Sequence, residues 1–209
     1  MKPAVFLDRD GTINEEMGYI NHLSRFQLLP ASAPAIARLN QAGLLVVVAT
    51  NQSGVARQYF PASLIDQVHD LMGRLLAAQG AFVDAIYVCQ HGPEAGCACR
   101  KPKPGLIEEA ARRHALDPAR SFLIGDRWRD IDAGHAAGCT CLLIDYGYRE
   151  RAPSAAPAAR VHSLAEAAEW ILERTGTDPP AGREQPSRNA PDPTLPALAK
   201  PVTENGDRT

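Results

Sequence analysis

Apolar runs alternate with helix-like patterns from the N-terminus to about residue 172. Residues 4–7 form a short apolar run, and residues 44–49 read Leu-Leu-Val-Val-Val-Ala without a polar break. Strands that are buried on both faces of a sheet have such continuous patterns. Further runs with strand character lie at residues 82–88, 121–124 and 140–144. Strands that alternate with helices predict a doubly wound α/β fold, in which a parallel sheet is covered by helices.

The segments between these runs have helical character. Apolar residues at helical spacing predict a helix over residues 64–76, and residues 104–114 begin a second helix with proline in the first turn. A third helix is predicted over residues 130–137, before a glycine. The Ser-x-x-Glu pattern at Ser163 is typical of a capping box and predicts a last helix that runs to about Glu173.

Composition divides the chain after residue 175. Seven of the 17 prolines lie in residues 176–209, where Leu195, Leu198 and Val202 are the only large apolar side chains. Such a segment buries too little apolar surface to offset its ordering entropy. We therefore predict one folded domain over residues 1–175, which carries the candidate chemistry, and a disordered proline-rich tail. A low-complexity stretch at residues 152–159 is predicted to be a surface loop.

Composition also limits the partners. The 209 residues are 45% hydrophobic and 22% charged, as in an average globular protein, and the formal net charge is -2. This charge gives no reason to expect nucleic acid or an anionic membrane as a partner. The apolar run at residues 44–49 is far shorter than the roughly 20 residues of a membrane span. Residues 1–7 lack the length and cleavage site of a signal peptide, so we expect a cytoplasmic protein, and we expect a monomer.

Four polar clusters follow predicted strands or the loops after them. They lie at residues 8–12, 50–54, 100–102 and 125–126. In an open parallel sheet, the carboxyl ends of the strands open onto one crevice. We therefore expect these clusters to meet in space.

The residue types in these clusters indicate phosphoryl transfer. Carboxylates at Asp8, Asp10 and Asp126 would repel one another in a partly dry crevice unless a hard cation such as Mg²⁺ is bound. Hydroxyl, amide and backbone donors at residues 50–54, together with the charge of Lys101, suit the oxygens of a phosphoryl group. The chain has no Gly-x-x-x-x-Gly-Lys-Ser/Thr sequence, which excludes a P-loop nucleotide hydrolase.

A second constellation consists of cysteines and a histidine. Cys89 and His91 are followed after five residues by Cys97 and Cys99. Three thiolates and an imidazole complete a tetrahedral set for Zn²⁺, which predicts a structural zinc-binding loop. Reduced cysteines packed in the loop, or a redox pair of Cys97 and Cys99, are the alternatives. Zinc here would stiffen the loop immediately before Arg100.

The ordered motifs resemble those of the haloacid dehalogenase superfamily of phosphotransferases. Its signature, a strand followed by Asp-x-Asp-Gly-Thr/Val, is met by residues 5–12, and the resemblance covers about residues 4–150. It implies a Rossmann-like fold, in which Asp8 is the nucleophile that forms an aspartyl-phosphate. Asp10 would protonate the leaving alkoxide and then activate water. The connections are too short for a cap domain, so we expect loops to close the site.

The resemblance also implies where the ion and the phosphate bind. Magnesium would lie among the Asp8 carboxylate, the Asp10 backbone carbonyl and Asp126. Thr50 and Lys101 would hold the phosphoryl oxygens. The neighbouring Arg100 is included in this catalytic group, and Asp130 could orient Lys101. Lys103 is a second lysine in the same segment, but Arg-Lys-Pro matches the family element better.

The zinc loop narrows the resemblance to two branches. It is similar to the loop of D-glycero-D-manno-heptose 1,7-bisphosphate 7-phosphatases and to that of the phosphatase domain of histidinol-phosphate phosphatases. The heptose branch is favoured because no dehydratase domain follows and because Arg100 and Arg127 carry charge beyond the needs of one phosphate. This branch implies a small sugar bisphosphate and a role in lipopolysaccharide precursor synthesis. Histidinol phosphate is the alternative substrate, and a non-catalytic zinc-stabilised binding module is the alternative outside enzymes.

Loop residues are expected to surround the sugar. By the family likeness these substrate-binding residues are Glu16, Met17, Gly18, Tyr19, Asn51, Gln52, Ser53, Gly54 and Arg127. Histidines outside the zinc loop have no metal-ligand or triad spacing, so we predict structural or surface positions for His22, His69, His114, His135 and His162.

Overall fold

The computed structural model describes residues 1–176, so the predicted tail lies outside the described residues apart from Gly176. The strands of the described part are β1 (Ala4–Leu7), β2 (Leu45–Asn51), β3 (Ala85–Cys89), β4 (Phe122–Gly125), β5 (Thr140–Ile144) and β6 (Ala159–Val161). Its α-helices are α1 (Ser32–Gln41), α2 (Ala62–Ala77), α3 (Gly105–His114), α4 (Trp128–Ala137) and α5 (Leu164–Thr175). The predicted alternation of strands and helices is confirmed.

The strands form one parallel sheet in the order β3-β2-β1-β4-β5-β6. The chain builds outward from β1 to β3, and then returns to the other side of β1 to add β4, β5 and β6. The direction of winding therefore reverses between β1 and β4. In such sheets the carboxyl ends of the strands beside this reversal form the ligand crevice.

Alternate side chains of each strand serve two cores. On one face, Val5 and Leu7 pack in a cluster that includes buried residues of α1, α2 and α5. On the other face, Ala4 and Phe6 pack in a cluster with residues of α3 and α4, including Ile131. Because both faces of β1 are covered, its four residues are all buried and apolar, as the sequence pattern predicts.

The structure corrects several predicted limits. Helix α1 was absent from the sequence prediction because its buried stripe consists mostly of small residues, which give a weak apolar period. Strand β3 begins at Ala85 rather than at residue 82, because the backbone and carboxylate of Asp84 bind the backbone of Val46. Strand β6 begins at Ala159, the last residue of the predicted loop at 152–159.

The last helix begins where the sequence pattern places it. Ser163 is the N-cap of α5, and its hydroxyl accepts a hydrogen bond from the backbone of Glu166 at 3.2 Å. The Glu166 carboxylate accepts from the backbone of His162 at 2.9 Å rather than from Ser163, so only half of the predicted capping box forms. Among residues 1–176, no helix is long and apolar enough to cross a bilayer.

Candidate active site

Lys101 lies between two carboxylates at the crevice. Its ammonium nitrogen is 2.8 Å from Asp8 Oδ1 and 2.6 Å from Asp130 Oδ1, and it donates a hydrogen bond to the Ala49 carbonyl at 2.7 Å. Burial alone would lower the pKa of Lys101, but the carboxylates of Asp130 and Asp8 outweigh it and raise this pKa above its usual value. The side chain is therefore a fixed positive charge.

The backbone of Lys101 is held as firmly as its side chain. Asn51 Nδ2 donates to the Lys101 carbonyl at 3.1 Å, and the Lys101 backbone N–H donates to Asn51 Oδ1 at 3.1 Å. This pair of hydrogen bonds joins the end of β2 to the loop before α3. Lys103, the other lysine of the segment, points its ammonium at the Gly96 carbonyl at 2.8 Å instead.

Three carboxylates gather next to Lys101. One oxygen from each of Asp8, Asp126 and Asp130 lies within 4.8 Å of the others. The third acid of this cluster is thus Asp130 rather than Asp10. Burial, with the nearby Asp130 and Asp8 charges, raises the pKa of Asp126 to about 8. Burial also raises the pKa of Asp8 to about 6, although Lys101 opposes the shift.

Asp126 is a buried acid whose carboxylate oxygens lack hydrogen-bond donors in the described structure. Its side chain is 0% exposed, and neither carboxylate oxygen has a hydrogen-bond partner in the described structure, although Arg127 Nε lies 3.3 Å from Oδ2. A buried carboxylate without donors is costly. Hard oxygen ligands in such a cluster suit Mg²⁺, which removes the repulsion among the acids. The residues present therefore fit a magnesium ion.

Two glycines make room for this cluster. Gly11 has φ +77°, and a Cβ at this position would overlap the Asp126 carboxylate. A Cβ at Gly125 would overlap the side chain of Asp130. A larger residue at either position would displace an acid of the cluster, so each glycine is required by the close approach of a carboxylate to the backbone.

Asp10 is turned towards a separate set of donors. Its Oδ2 accepts from Arg9 Nη2 and from Gln52 Nε2, each at 2.8 Å. Its Oδ1 accepts from Asn14 Nδ2 at 2.9 Å and from Arg9 Nη2 at 3.0 Å. Gln52 Nε2 also donates to Thr50 Oγ1 at 3.0 Å. Both oxygens of Asp10 are thereby fixed in direction.

The cysteines and histidine of the predicted zinc loop converge. Cys99 Sγ lies 3.3 Å from Cys89 Sγ, 3.5 Å from Cys97 Sγ and 3.2 Å from His91 Nδ1. One ligand atom from each of the four residues lies within 4.8 Å of the others. Four soft or borderline ligands at such separations surround a space that suits one tetrahedral metal ion.

Comparisons with known proteins point to one family. A family model described as HAD-hydrolase-like matches residues 98–167. The D-glycero-beta-D-manno-heptose-1,7-bisphosphate 7-phosphatase of Bordetella bronchiseptica is 46% identical over 144 residues, covering 68% of this chain and 80% of that protein. The D-glycero-D-manno-heptose-1,7-bisphosphate 7-phosphatase of Thermosynechococcus vestitus is 41% identical over 187 residues, covering 81% and 95%.

A solved structure agrees with the sequence matches. The D,D-heptose 1,7-bisphosphate phosphatase from B. bronchiseptica, complexed with magnesium and phosphate, has a TM-score of 0.76 and 41% identity over 83% of this chain and 99% of that chain. The protein belongs to the heptose-bisphosphate phosphatase family of the haloacid dehalogenase superfamily. The recognition made from the sequence motifs is therefore confirmed.

In this member of the heptose-bisphosphate phosphatase family, the loops after β1, β4 and β5 meet at Arg127, next to Asp126. Arg127 contacts Glu150 at 2.8 Å and Glu16 at 3.5 Å, and its guanidinium stacks on Tyr148 at 3.6 Å from the ring centroid. Glu16 also accepts from the backbone of Gly18 at 2.7 Å. The charge of Arg127 is therefore largely matched by carboxylates.

Tyr19 and the loop after β2 lie against each other. Met17 and Tyr19 are each 36% exposed, and Tyr19 packs edge-to-face on Tyr59 with ring centroids 4.8 Å apart. Ser53 is buried, and a Cβ at Gly54 would overlap the Phe60 ring. The loop after β2 is therefore packed beneath an exposed aromatic edge.

A basic cavity of about 330 Å³ lies between the zinc loop and α4. Its lining includes the side chains of Arg100, Lys103 and Arg129, and no acidic residue takes part in the lining. Arg100 Nη1 donates to the His91 carbonyl at 3.2 Å, which ties this cation to the zinc loop. The cavity adjoins Lys101, so a second anionic group of a ligand would find positive charge next to the crevice.

Several residues near the candidate site of this protein were not predicted from the sequence. No role was assigned to Arg9 or Asn14, which bind Asp10. His69, predicted at a structural or surface position, is buried on α2. Lys103 and Arg129 were also passed over as members of the basic cavity. The position of Arg9 between two candidate acids was the one sequence signal that could have drawn attention to it.

Proposed function

We propose that the protein is a Mg²⁺-dependent phosphatase that removes the 7-phosphate of D-glycero-D-manno-heptose 1,7-bisphosphate. The observation that carries the proposal is the meeting of Asp8, Lys101 and Asp126 at one point beside the winding reversal of the sheet. Relatives that the chain matches along most of their length are named for this reaction.

Two displacements at phosphorus make up the reaction. In the first, an Asp8 carboxylate oxygen bonds to phosphorus, the bond from phosphorus to the sugar oxygen breaks, and protonated Asp10 gives its proton to that oxygen. In the second, Asp10 takes a proton from water as the water oxygen bonds to phosphorus. The bond from Asp8 to phosphorus then breaks, which releases inorganic phosphate and restores Asp8.

The phosphoryl oxygens need fixed positive charge and donors. Lys101 supplies the charge, and its contacts with Asp8 and Asp130 place the ammonium beside the nucleophile. The Thr50 hydroxyl accepts from Gln52, so its own proton is free to point towards a phosphoryl oxygen. Such preorganised groups stabilise charge that spreads over the transferring phosphoryl group.

Magnesium would be held by the carboxylates of Asp8 and Asp126 and by the backbone carbonyl of Asp10. When bound, the ion supplies positive charge that offsets the repulsion between the nucleophile and the phosphate. The unmet oxygens of Asp126 support this assignment. Asp130 belongs to the same acidic cluster, but its contact with Lys101 at 2.6 Å gives it an orienting role.

The basic cavity supports a substrate with two phosphates. One phosphate would lie at Asp8, and the other would be drawn to Arg100, Lys103 and Arg129, whose cavity lacks acidic lining residues. Arg127, by contrast, is already matched by Glu16 and Glu150, so we assign it to shaping the sugar pocket. In the described structure Arg100 and Lys103 contact backbone carbonyls, whereas Arg129 also lies 3.9 Å from Glu150. A substrate with a single phosphate would therefore leave Arg100 and Lys103 without an anionic partner.

We further propose structural zinc at Cys89, His91, Cys97 and Cys99, on the evidence of their convergence. Three reduced cysteine ligands are typical of a reducing compartment, which supports a cytoplasmic enzyme. A heptose phosphate product would serve the synthesis of lipopolysaccharide precursors.

Substrate preference tests the proposal. Phosphate release should be measured, with Mg²⁺ present, from D-glycero-D-manno-heptose 1,7-bisphosphate and from histidinol phosphate. We expect kcat/KM to favour the heptose bisphosphate by about 10²-fold or more, since charge-assisted contacts to a second phosphate are lost with the other substrate. Arg100→Gln should narrow that difference. Reversed preference would assign the protein to histidinol phosphate instead, and equal preference would contradict the assignment of the basic cavity to a second phosphate.

A further inference from the structure

Arg9 lies in sequence between the candidate acids Asp8 and Asp10, and its charged side chain is buried. Its side chain is 2% exposed, although arginine is almost never fully buried without a partner. Its Nη2 donates to Asp10 Oδ2 at 2.8 Å and to Asp10 Oδ1 at 3.0 Å, and Nε donates to Oδ1 at 3.3 Å. One edge of the guanidinium is thus committed to the carboxylate of Asp10.

The other edge of this guanidinium is committed to a histidine from a distant segment. His69 lies on α2, is 6% exposed, and places Nε2 at 3.3 Å from Arg9 Nη1. Because a guanidinium only donates, Nε2 is the accepting nitrogen and the proton is on Nδ1. Burial and the Arg9 charge lower the pKa of His69 to about 3, so this imidazole is neutral.

His69 has no other polar contact that explains its burial. Its Nδ1 has no hydrogen-bond partner among the described residues, which is costly for a buried donor. The ring lies on the buried side of α2, together with Val68 and Met72, where an apolar residue would avoid this cost. Within residues 1–176, the hydrogen-bonding contact of His69 is therefore the one with Arg9.

The planarity of the guanidinium links these two contacts. Fixing Nη1 against His69 fixes the plane in which Nη2 and Nε meet Asp10. Asn14 and Gln52 complete the set of donors around Asp10, but neither contacts His69. The direction of the Asp10 carboxylate thus depends on a contact made 60 residues away in the chain.

We propose that Arg9 and His69 are positioning residues for proton transfer by Asp10, in which neutral His69 orients the Arg9 guanidinium and Arg9 orients the Asp10 carboxylate. This inference rests on the proposed phosphatase function. It predicts that loss of the His69 acceptor impairs the protonation of a leaving alkoxide and leaves phosphate binding largely unchanged.

The test is made at His69, because removal of Arg9 would leave a large buried gap. His69→Leu removes the acceptor, whereas His69→Gln keeps a neutral side chain that can accept from Arg9. Met72→Leu, a volume-conserving change on the same buried face of α2, serves as the matched control. The measured quantity is kcat/KM for the heptose bisphosphate and for p-nitrophenyl phosphate, whose leaving group departs without a proton.

We expect His69→Leu to lower kcat/KM for the sugar phosphate by about 10–10²-fold, through kcat, with p-nitrophenyl phosphate changed by less than about 3-fold. His69→Gln and Met72→Leu should stay within about 3-fold of the wild type for both substrates. A parallel loss on both substrates, or full activity of His69→Leu on the sugar phosphate, would overturn the positioning role. Failure of the proposed function appears separately, as a wild type that does not hydrolyse the heptose bisphosphate.

Discussion

At the scale of single residues, the site depends on one ammonium shared by two carboxylates. Lys101 neutralises Asp8 and Asp130 inside the protein, where an unpaired charge is strongly destabilising. In the proposed mechanism, the same ammonium is the fixed positive charge beside the nucleophile. The proposed catalytic charge therefore also stabilises the fold. Lys103, although close in sequence, takes part in neither of these ion pairs.

Lys101→Met should impair both catalysis and stability. We expect kcat to fall by about 10²–10³-fold, because a preorganised charge on the phosphoryl group is lost. The free energy of unfolding should fall by about 3–5 kcal/mol, because two carboxylates lose their buried partner. Kinetics on a monophosphate substrate and urea unfolding measure the two effects.

Lys103→Met is the matched control for this change. It should leave hydrolysis of the monophosphate and the unfolding free energy unchanged, because the Lys103 ammonium contacts a backbone carbonyl in an exposed loop. If Lys103→Met proved the more damaging substitution, the assignment of the catalytic lysine would be reversed.

At the scale of elements, the site could be predicted where chemistry follows a strand end. Asp8 and Asp126 could be placed together because parallel strands bring their carboxyl ends to one edge whatever the details of packing. Both ends of strand β5 were predicted correctly, because its run Thr-Cys-Leu-Leu-Ile follows the helix-ending Gly138 closely and stops before Asp145. Helix α1 and the three-residue strand β6 were missed because small residues and short runs carry little periodicity.

The Arg9–His69 contact could not be predicted from local pattern. It depends on how α2 packs against the loop after β1, and no spacing rule relates residues so far apart in the chain. The convergence of Cys89, His91, Cys97 and Cys99, by contrast, followed from spacing alone, because a short loop has few ways to arrange four ligands.

The zinc loop is the element with the clearest test. Metal analysis should find about one zinc ion per chain, and its removal by a chelator should lower Tm by roughly 6–12 °C, as expected for loss of about 3 kcal/mol of binding free energy. Cys99→Ala should lose the metal. Cys139→Ala, which removes a buried thiol immediately before β5, should retain it. A purified protein that contains no zinc, or one whose Tm does not change when the chelator is added, would contradict the tetrahedral zinc site.

At the scale of the whole molecule, the acidic cluster couples stability to pH and to magnesium. The pKa of Asp126 rises from 3.8 to about 8 on folding, and that of Asp8 rises from 3.8 to about 6. At a pH between the unfolded and the folded pKa of each group, the folded protein holds a proton that the unfolded chain has released. Without a cation, the free energy of unfolding should therefore fall as the pH rises from about 4 to about 8.

Magnesium should reverse this loss. At pH 8 the ion binds acids that are costly to ionise in its absence, so Mg²⁺ should raise Tm more at pH 8 than at pH 5. In metal-free Asp126→Asn, the free energy of unfolding should depend less on pH. Mg²⁺ should also raise the Tm of this variant less than that of the wild type. A Tm increment that is the same at both pH values, or that survives in Asp126→Asn, would show that the ion binds elsewhere.

The most direct measurement for the whole account is phosphate release from D-glycero-D-manno-heptose 1,7-bisphosphate by the wild type and by Asp8→Asn in the presence of Mg²⁺. Asp66→Asn, an exposed substitution on α2, is the control for the loss of one negative charge. The account predicts rapid release by the wild type and Asp66→Asn, and a rate lower by at least about 10³-fold for Asp8→Asn, which should still fold. Undiminished release by a folded Asp8→Asn protein would contradict the central role of Asp8.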